Sequence, residues 1–118
     1  MEIFIRGNVP SSKNSKVWTG RILVWGKTAQ RYIKETEYEW AINAKVFKGM
    51  IHEYPIRCSL RFIRGSHHKF DYVNPTQTIL DLMVKYGWIT DDNADIIIPV
   101  FEQYEYNKEN PGVYINIL

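Results

Sequence analysis

The stretch IRCSLRFIR, from Ile56 to Arg64, alternates in character along nine residues, with Ile56, Cys58, Leu60 and Phe62 on one face and Arg57, Ser59 and Arg61 on the other. A period of two keeps apolar side chains together only in an extended chain, so this segment has to pair in a sheet and bury one face against a second layer. The pattern predicts a half-buried antiparallel strand with a basic outer face. On both sides of it the period changes to that of a helix. From about Thr28 to Lys48, Tyr32, Ile33, Trp40, Ala41, Ala44 and Phe47 recur at spacings of three and four, and Gly49 stands where a left-handed cap would end a long helix. Ile79, Leu82, Met83 and Tyr86 form a second apolar stripe. For this helix Asn74 is the predicted N-cap, Pro75 the first helical residue, Gln77 the partner in a capping box and Gly87 the stop.

The remaining segments read as strands. Glu2 to Arg6 alternates and leads into the polar loop GNVPSSKNSK; Arg21 to Trp25 is a short strand closed by Gly26. DIIIPVFEQYEY is a strand whose Pro99 favours an edge or a bulge, NKENPG is a turn, and VYINIL is a final strand. The order β, β, α, β, α, β, β contains no repeat, linker or low-complexity segment. It predicts a single α+β domain over residues 1–118, a mixed sheet with two helices packed on one face.

A chain of 118 residues can build one core, but a closed pocket for a bulky cofactor would be hard to fit beside it. An extended site, or one shared between subunits, suits this size better. The single cysteine, Cys58, excludes an internal disulfide framework and a Cys-rich zinc site, and predicts a small buried side chain in a reducing compartment. The N-terminus lacks the basic-then-apolar pattern of a secretion signal, and no apolar run approaches the roughly 20 residues that span a bilayer, so a cytoplasmic location without membrane partners is expected. The net charge is only +2, yet thirteen of the fifteen Lys and Arg precede Phe70 while eight of the thirteen acids follow it. Such asymmetry suggests a basic binding surface beside an acidic site.

The acids cluster around the second helix. Twelve residues from Pro75 to Tyr86 rise about 18 Å, and the five from Trp88 to Asp92 can return roughly 16 Å if extended, so Asp71 and Asp92 can meet, with Asp91 or Asp95 nearby. Carboxylates brought together repel unless a cation lies between them. An all-oxygen set of this kind favours Mg²⁺ or Mn²⁺, which keep several waters and also bind phosphate oxygens; the reaction implied is phosphodiester hydrolysis. Asp and Asn also suit turns on backbone grounds, so a purely structural role for Asp71 and the Asp91-Asp92-Asn93 group fits the same spacing. The pair His67 and His68 could suggest zinc or a general base but has no further ligand spacing, and Asp81, in mid-helix, is expected to face solvent.

At these residues the chain resembles the RusA-like Holliday junction resolvases, small endonucleases that cut four-way DNA junctions. The family pairs D-x-D-N at a helix start with a Gly-aromatic turn and a later D-D pair. Here D-Y-V-N spans positions 71 to 74, YGW positions 86 to 88 and DD positions 91 and 92, while VPSSKNS, from Val9 to Ser15, is similar to the family's Pro-Ser-x-Asn segment. The resemblance implies a RusA-like fold, a homodimer, Mg²⁺ or Mn²⁺, and a role in recombination and repair of phage or prophage DNA. By position, Asp71 matches the first catalytic aspartate, Asn74 the capping asparagine and Asp92 the later metal-binding aspartate. Two positions depart from the pattern: Val73 replaces a second aspartate and Gln77 replaces a lysine implicated in catalysis. Asp91 or Asp95 could supply the missing carboxylate, and Lys69 the missing cation.

A junction nuclease also has to hold phosphates, for which Lys13, Asn14, Lys16, Arg21 and Lys27 are placed in or after loops, with Ser11 and Ser12 as further donors and Trp18 able to stack on an exposed base. Trp25, Tyr38 and Tyr104 are candidates for a subunit interface or for core. The sequence therefore predicts a Mg-dependent, structure-selective endonuclease acting on branched DNA. The competing readings are a catalytically impaired DNA-binding protein of the same fold and, further off, an interaction domain whose acids only form turns.

Overall fold

The computed structural model describes residues 2–11 and 16–118. The chain runs β1 (Ile3–Arg6), β2 (Lys16–Trp18), β3 (Leu23–Trp25), α1 (Lys27–Met50), β4 (Ile56–Arg64), α2 (Val73–Lys85), β5 (Ile97–Phe101), β6 (Glu105–Tyr106) and β7 (Gly112–Ile117). The main sheet has the order β1-β7-β4-β5, with β6 beside the far end of β4. β4 pairs antiparallel with β7 but parallel with β5 and β6. The fold is α+β with a mixed sheet and two helices, as the alternation of periods predicts. A parallel pair cannot be joined by a hairpin, so the chain crosses over between β4 and β5, and α2 is that crossover.

The central position of β4 changes its expected burial. Ile56, Cys58, Leu60 and Phe62 join the core, but Ser59 and Ile63 on the opposite face are also buried, because strands flank β4 on both sides. Arg61 stays near the surface over the Tyr114 ring and forms ion pairs with Glu2, Glu102 and Glu105. The strand is thus neither purely antiparallel nor open along one basic face. Cys58 is buried as expected, and burial pushes its thiol up to about 12. Pro99 lies on the edge strand β5, where a missing N–H costs nothing in the ladder.

Helix α1 runs through Gly49 to Met50, and Ile51 closes it with an N–H donated to Lys48 O. Met50 and Ile51 pack against the core, and that contact offsets the roughly 1 kcal/mol that glycine costs in a helix. Gly87, by contrast, has φ +77° and ends α2 as the sequence predicts. Its N–H donates to Val84 O at 3.2 Å and the Trp88 N–H to Met83 O at 2.8 Å, a Schellman cap that turns Trp88 back into the core. There the Trp88 indole N–H donates to Trp40 O at 2.7 Å, while the Trp40 indole donates to Thr36 Oγ1 at 3.0 Å. This chain of bonds fastens the end of α2 to the middle of α1.

The start of α2 departs from expectation. The helix begins at Val73, two residues before Pro75; Tyr72 occupies the cap position in helical geometry, and no side chain caps it. Tyr72 stacks on Phe101 of β5 at 5.1 Å, and Thr76 Oγ1 donates to Tyr72 O at 2.7 Å, so tertiary packing draws the first turn back past Asn74. The capping box of Asn74 and Gln77 is therefore not formed. A further addition is the strand β2, which pairs with β3 around a tight turn where Gly20 has φ +96°. Among the described residues no helix is long and apolar enough to cross a membrane.

Replacing Trp88 with Phe removes the bond to Trp40 O and leaves a small void, and should lower unfolding stability by about 1–3 kcal/mol, read from urea denaturation. Cys58 should react with a thiol reagent at pH 8 at least about a hundredfold more slowly in the native protein than in urea. The raised thiol pKa stabilises the fold fully below the ordinary value near 9, and that contribution is lost as pH rises toward 12.

Candidate active site

Ligands of open sheets containing parallel strands gather beyond the strands' carboxyl ends, where the connections leave the sheet. Here the carboxyl ends of β4 and β5 lie beside the start of α2. A cavity of about 290 Å³ opens there, lined by His67, Lys69, Phe70, Asp71, Tyr72 and Tyr104. Asp71 is exposed, two residues before α2. Lys69, the candidate substitute cation, shares its cavity.

Asp92 reaches α2 from the other direction. After the Gly87 turn the chain runs back along the helix, and Gln77 Nε2 donates to Asp92 Oδ2 at 3.4 Å and to Asp81 Oδ1 at 2.8 Å. Gln77 lies six residues beyond Asp71, about 9 Å along a helix axis at 1.5 Å per residue. Asp92 thus returns to α2 at Gln77, while Asp71 lies on the cavity at the helix start. Asp91 turns elsewhere: it accepts from Asn93 Nδ2 at 2.7 Å, while Asn93 Oδ1 accepts the Asp95 N–H at 2.9 Å, a turn that leads into β5. Among the described residues no three His, Cys, Asp or Glu side chains are grouped to hold a metal ion.

Asp81 does not face solvent as expected. Its side chain is only 22% exposed, and Lys16 Nζ stands 3.2 Å from Oδ2. That oxygen has no aligned hydrogen-bond donor, so the contact is an ion pair without hydrogen-bond geometry. Lys16 also lies over the Trp25 ring at 4.7 Å, which ties the β2–β3 hairpin to α2 beside Gln77. The spacing of Gln77 and Asp81, four apart on one helical face, was a sequence signal for their own hydrogen bond but not for the Lys16 contact.

Arg64 is a residue that the sequence reading passed over. It shares the parity of Ile56, Cys58, Leu60 and Phe62, which points it to the core face, and it is 5% exposed. Its Nη1 donates to Val9 O at 2.7 Å, its Nη2 to Ser11 Oγ at 3.0 Å, and its guanidinium lies 4.7 Å from the Phe70 ring centroid. Burial pulls its pKa down, with Tyr32 acting weakly in the opposite direction. Among the described residues it has no carboxylate partner. Arg64 thus clamps the loop after β1 to the segment that precedes Asp71.

Of the expected phosphate contacts, Lys16, Arg21 and Lys27 are exposed around the β2–β3 hairpin, and Trp18 beside them is 66% exposed. Lys13, Asn14 and Ser12 lie outside the described residues. Tyr38 is exposed and Trp25 packs partly against the core. His67 stacks on Tyr106 at 3.7 Å with an interplanar angle of 21°. A scan against protein-family models gave no match, and neither did a search of curated proteins.

Changing Arg64 to Lys keeps the charge but loses the forked geometry that reaches Val9 and Ser11 together. The variant should lose about 1.5–3 kcal/mol in a denaturant titration.

Proposed function

We propose that this protein is a RusA-like, divalent-metal-dependent endodeoxyribonuclease that hydrolyses phosphodiesters in branched DNA such as four-way junctions, acting as a homodimer. The observation that carries the reading is the contact of Gln77 with Asp92, which holds a returning carboxylate against the second turn of the helix that Asp71 precedes. Asp71 and Asp92 are the candidate metal ligands in this reading, and Asp91 joins them only if it gives up its bond from Asn93 Nδ2. Hard oxygen donors of this kind suit an ion that keeps most of its water shell and completes its coordination with substrate phosphate, although the described residues hold no preformed group of three. When bound, such an ion supplies an activated water and stabilises the leaving oxygen.

The chain's own side chains have distinct tasks. Lys69, on the cavity with Asp71, offers a cation to the phosphate where the family lysine is replaced by Gln77. Gln77 orients Asp92 through its amide, and Lys16 neutralises Asp81, which keeps that carboxylate from repelling Asp92. Arg21, Lys27, Lys13 and Asn14 contact the DNA backbone in this reading. Pairing of two subunits would match the two-fold character of a junction.

A second reading, a DNA-binding protein of the same fold with impaired catalysis, has its own support. Val73 is 67% exposed and offers no ligand, and no grouping of three metal-ligating side chains exists among the described residues. A synthetic four-way junction separates the two. With Mg²⁺ or Mn²⁺ the wild type should nick it, and Asp92→Asn should slow nicking by roughly two orders of magnitude or more while binding in EDTA stays within about threefold. Tight binding without metal-dependent nicking would establish the second reading, and absence of both at low salt would remove DNA as the ligand.

A further inference from the structure

We infer that the cavity beside Asp71 is a stacking site for one unpaired nucleotide of the DNA, an inference that rests on the function proposed above and names a subsite within it. Its walls are aromatic on three sides. Phe70 meets Tyr72 at 5.4 Å and Tyr104 at 5.0 Å, both nearly edge-on. The Tyr104 backbone N–H donates to the Tyr72 hydroxyl at 3.0 Å, which fixes the segment after β5 against the start of α2. The rings are therefore held in place before any ligand arrives.

Packing alone accounts for Tyr72, whose ring lies against Phe101. It accounts also for one face of Tyr106, which stacks on His67, but leaves Tyr104, on the cavity itself, 41% exposed. An aromatic face left open beside a cation is the arrangement that single-stranded nucleic acid uses, with bases on rings and phosphates on Lys or Arg. Lys69 lines the same cavity as Phe70, Tyr72 and Tyr104, and Asp71 and the Tyr72 hydroxyl can meet the polar edge of a base. A methylated ammonium would also suit aromatic rings. Lys69 offsets Asp71 in the lining, which leaves no net negative charge to draw a cation, so a base on the rings with its phosphate on Lys69 is the better match.

The volume of about 290 Å³ is of the order of one nucleotide. Bases inside a duplex present no free face, so only a branch point, bulge or strand end can fill the site. The cavity would then add structural selectivity to a backbone contact that is otherwise indifferent to sequence.

The test compares a duplex carrying a single-nucleotide bulge with the same duplex fully paired, in EDTA and at low salt. Wild type should favour the bulge. Tyr104→Ala should weaken bulge binding by about tenfold and duplex binding by less than about twofold, while Tyr104→Phe, which keeps the ring, should retain the preference. With 5-iodouracil at the bulge, irradiation should crosslink to the cavity walls, within His67 to Tyr72 or Phe101 to Tyr106. Equal wild-type affinity for the two probes, equal losses on both in Tyr104→Ala, or crosslinks lying wholly outside those two segments would overturn the inference while leaving the nuclease reading intact. Displacement of the bulged DNA from the cavity by a trimethyl-lysine peptide would overturn it in favour of a cation site. Failure of wild type to bind either DNA would instead remove the proposed function itself.

Discussion

Parallel pairing between β4 and β5 is the constraint from which the rest of the architecture follows. Adjacent parallel strands need a crossover, and the crossover has to leave the sheet at one strand's carboxyl end and return at the other's amino end. The chain from Gly65 to Ile96 does this by laying α2 over the core face of the sheet. Residues that precede α2 consequently emerge beyond the end of β4, next to the segment that leaves β5. Phe70, Asp71 and Tyr72 meet Tyr104 for that reason, although they are some thirty residues apart in the chain.

Two buried polar arrangements hold this crossover in register. The indole bonds from Trp88 to Trp40 and from Trp40 to Thr36 satisfy donors that would otherwise be lost in the core, and they fix the end of α2 on α1. Arg64 does the corresponding work at the start, since a buried guanidinium is tolerable only where its donors find acceptors. Its bonds to Val9 and Ser11 join β4 to the loop after β1, and its contact with Phe70 extends that link toward Asp71. The basic hairpin also reaches α2, through the ion pair of Lys16 with Asp81.

Under the proposed function, Val73 and Gln77 stand where a carboxylate and a cation would be expected, and the structure gives both positions physical content. Val73 sits in the first turn of α2 with its side chain exposed, so the missing carboxylate leaves an apolar surface rather than a buried hole. Gln77 takes up two carboxylates through a neutral amide, which orients Asp92 without the charge that a lysine would bring. Any cation needed by a phosphate has to come from elsewhere, and Lys69 is the basic side chain that shares a cavity with Asp71.

Periodicity alone determined most elements: β4 to the residue, the long first helix, the Gly87 stop and the burial of Cys58 were legible because backbone geometry and side-chain alternation are local properties. A return of Asp92 to α2 was compatible with helix rise and strand reach, but those lengths could not decide whether Asp92 meets Asp71. Tertiary packing decided what local chemistry could not. The Tyr72 stack on Phe101 overrode the Asn74 cap, core contacts of Met50 and Ile51 carried α1 through Gly49, and the parallel partner of β4 depended on pairing across a crossover. The same holds for Asp81, Arg64 and the rings around Asp71, whose partners are distant in sequence and adjacent only because the sheet brings their strand ends together.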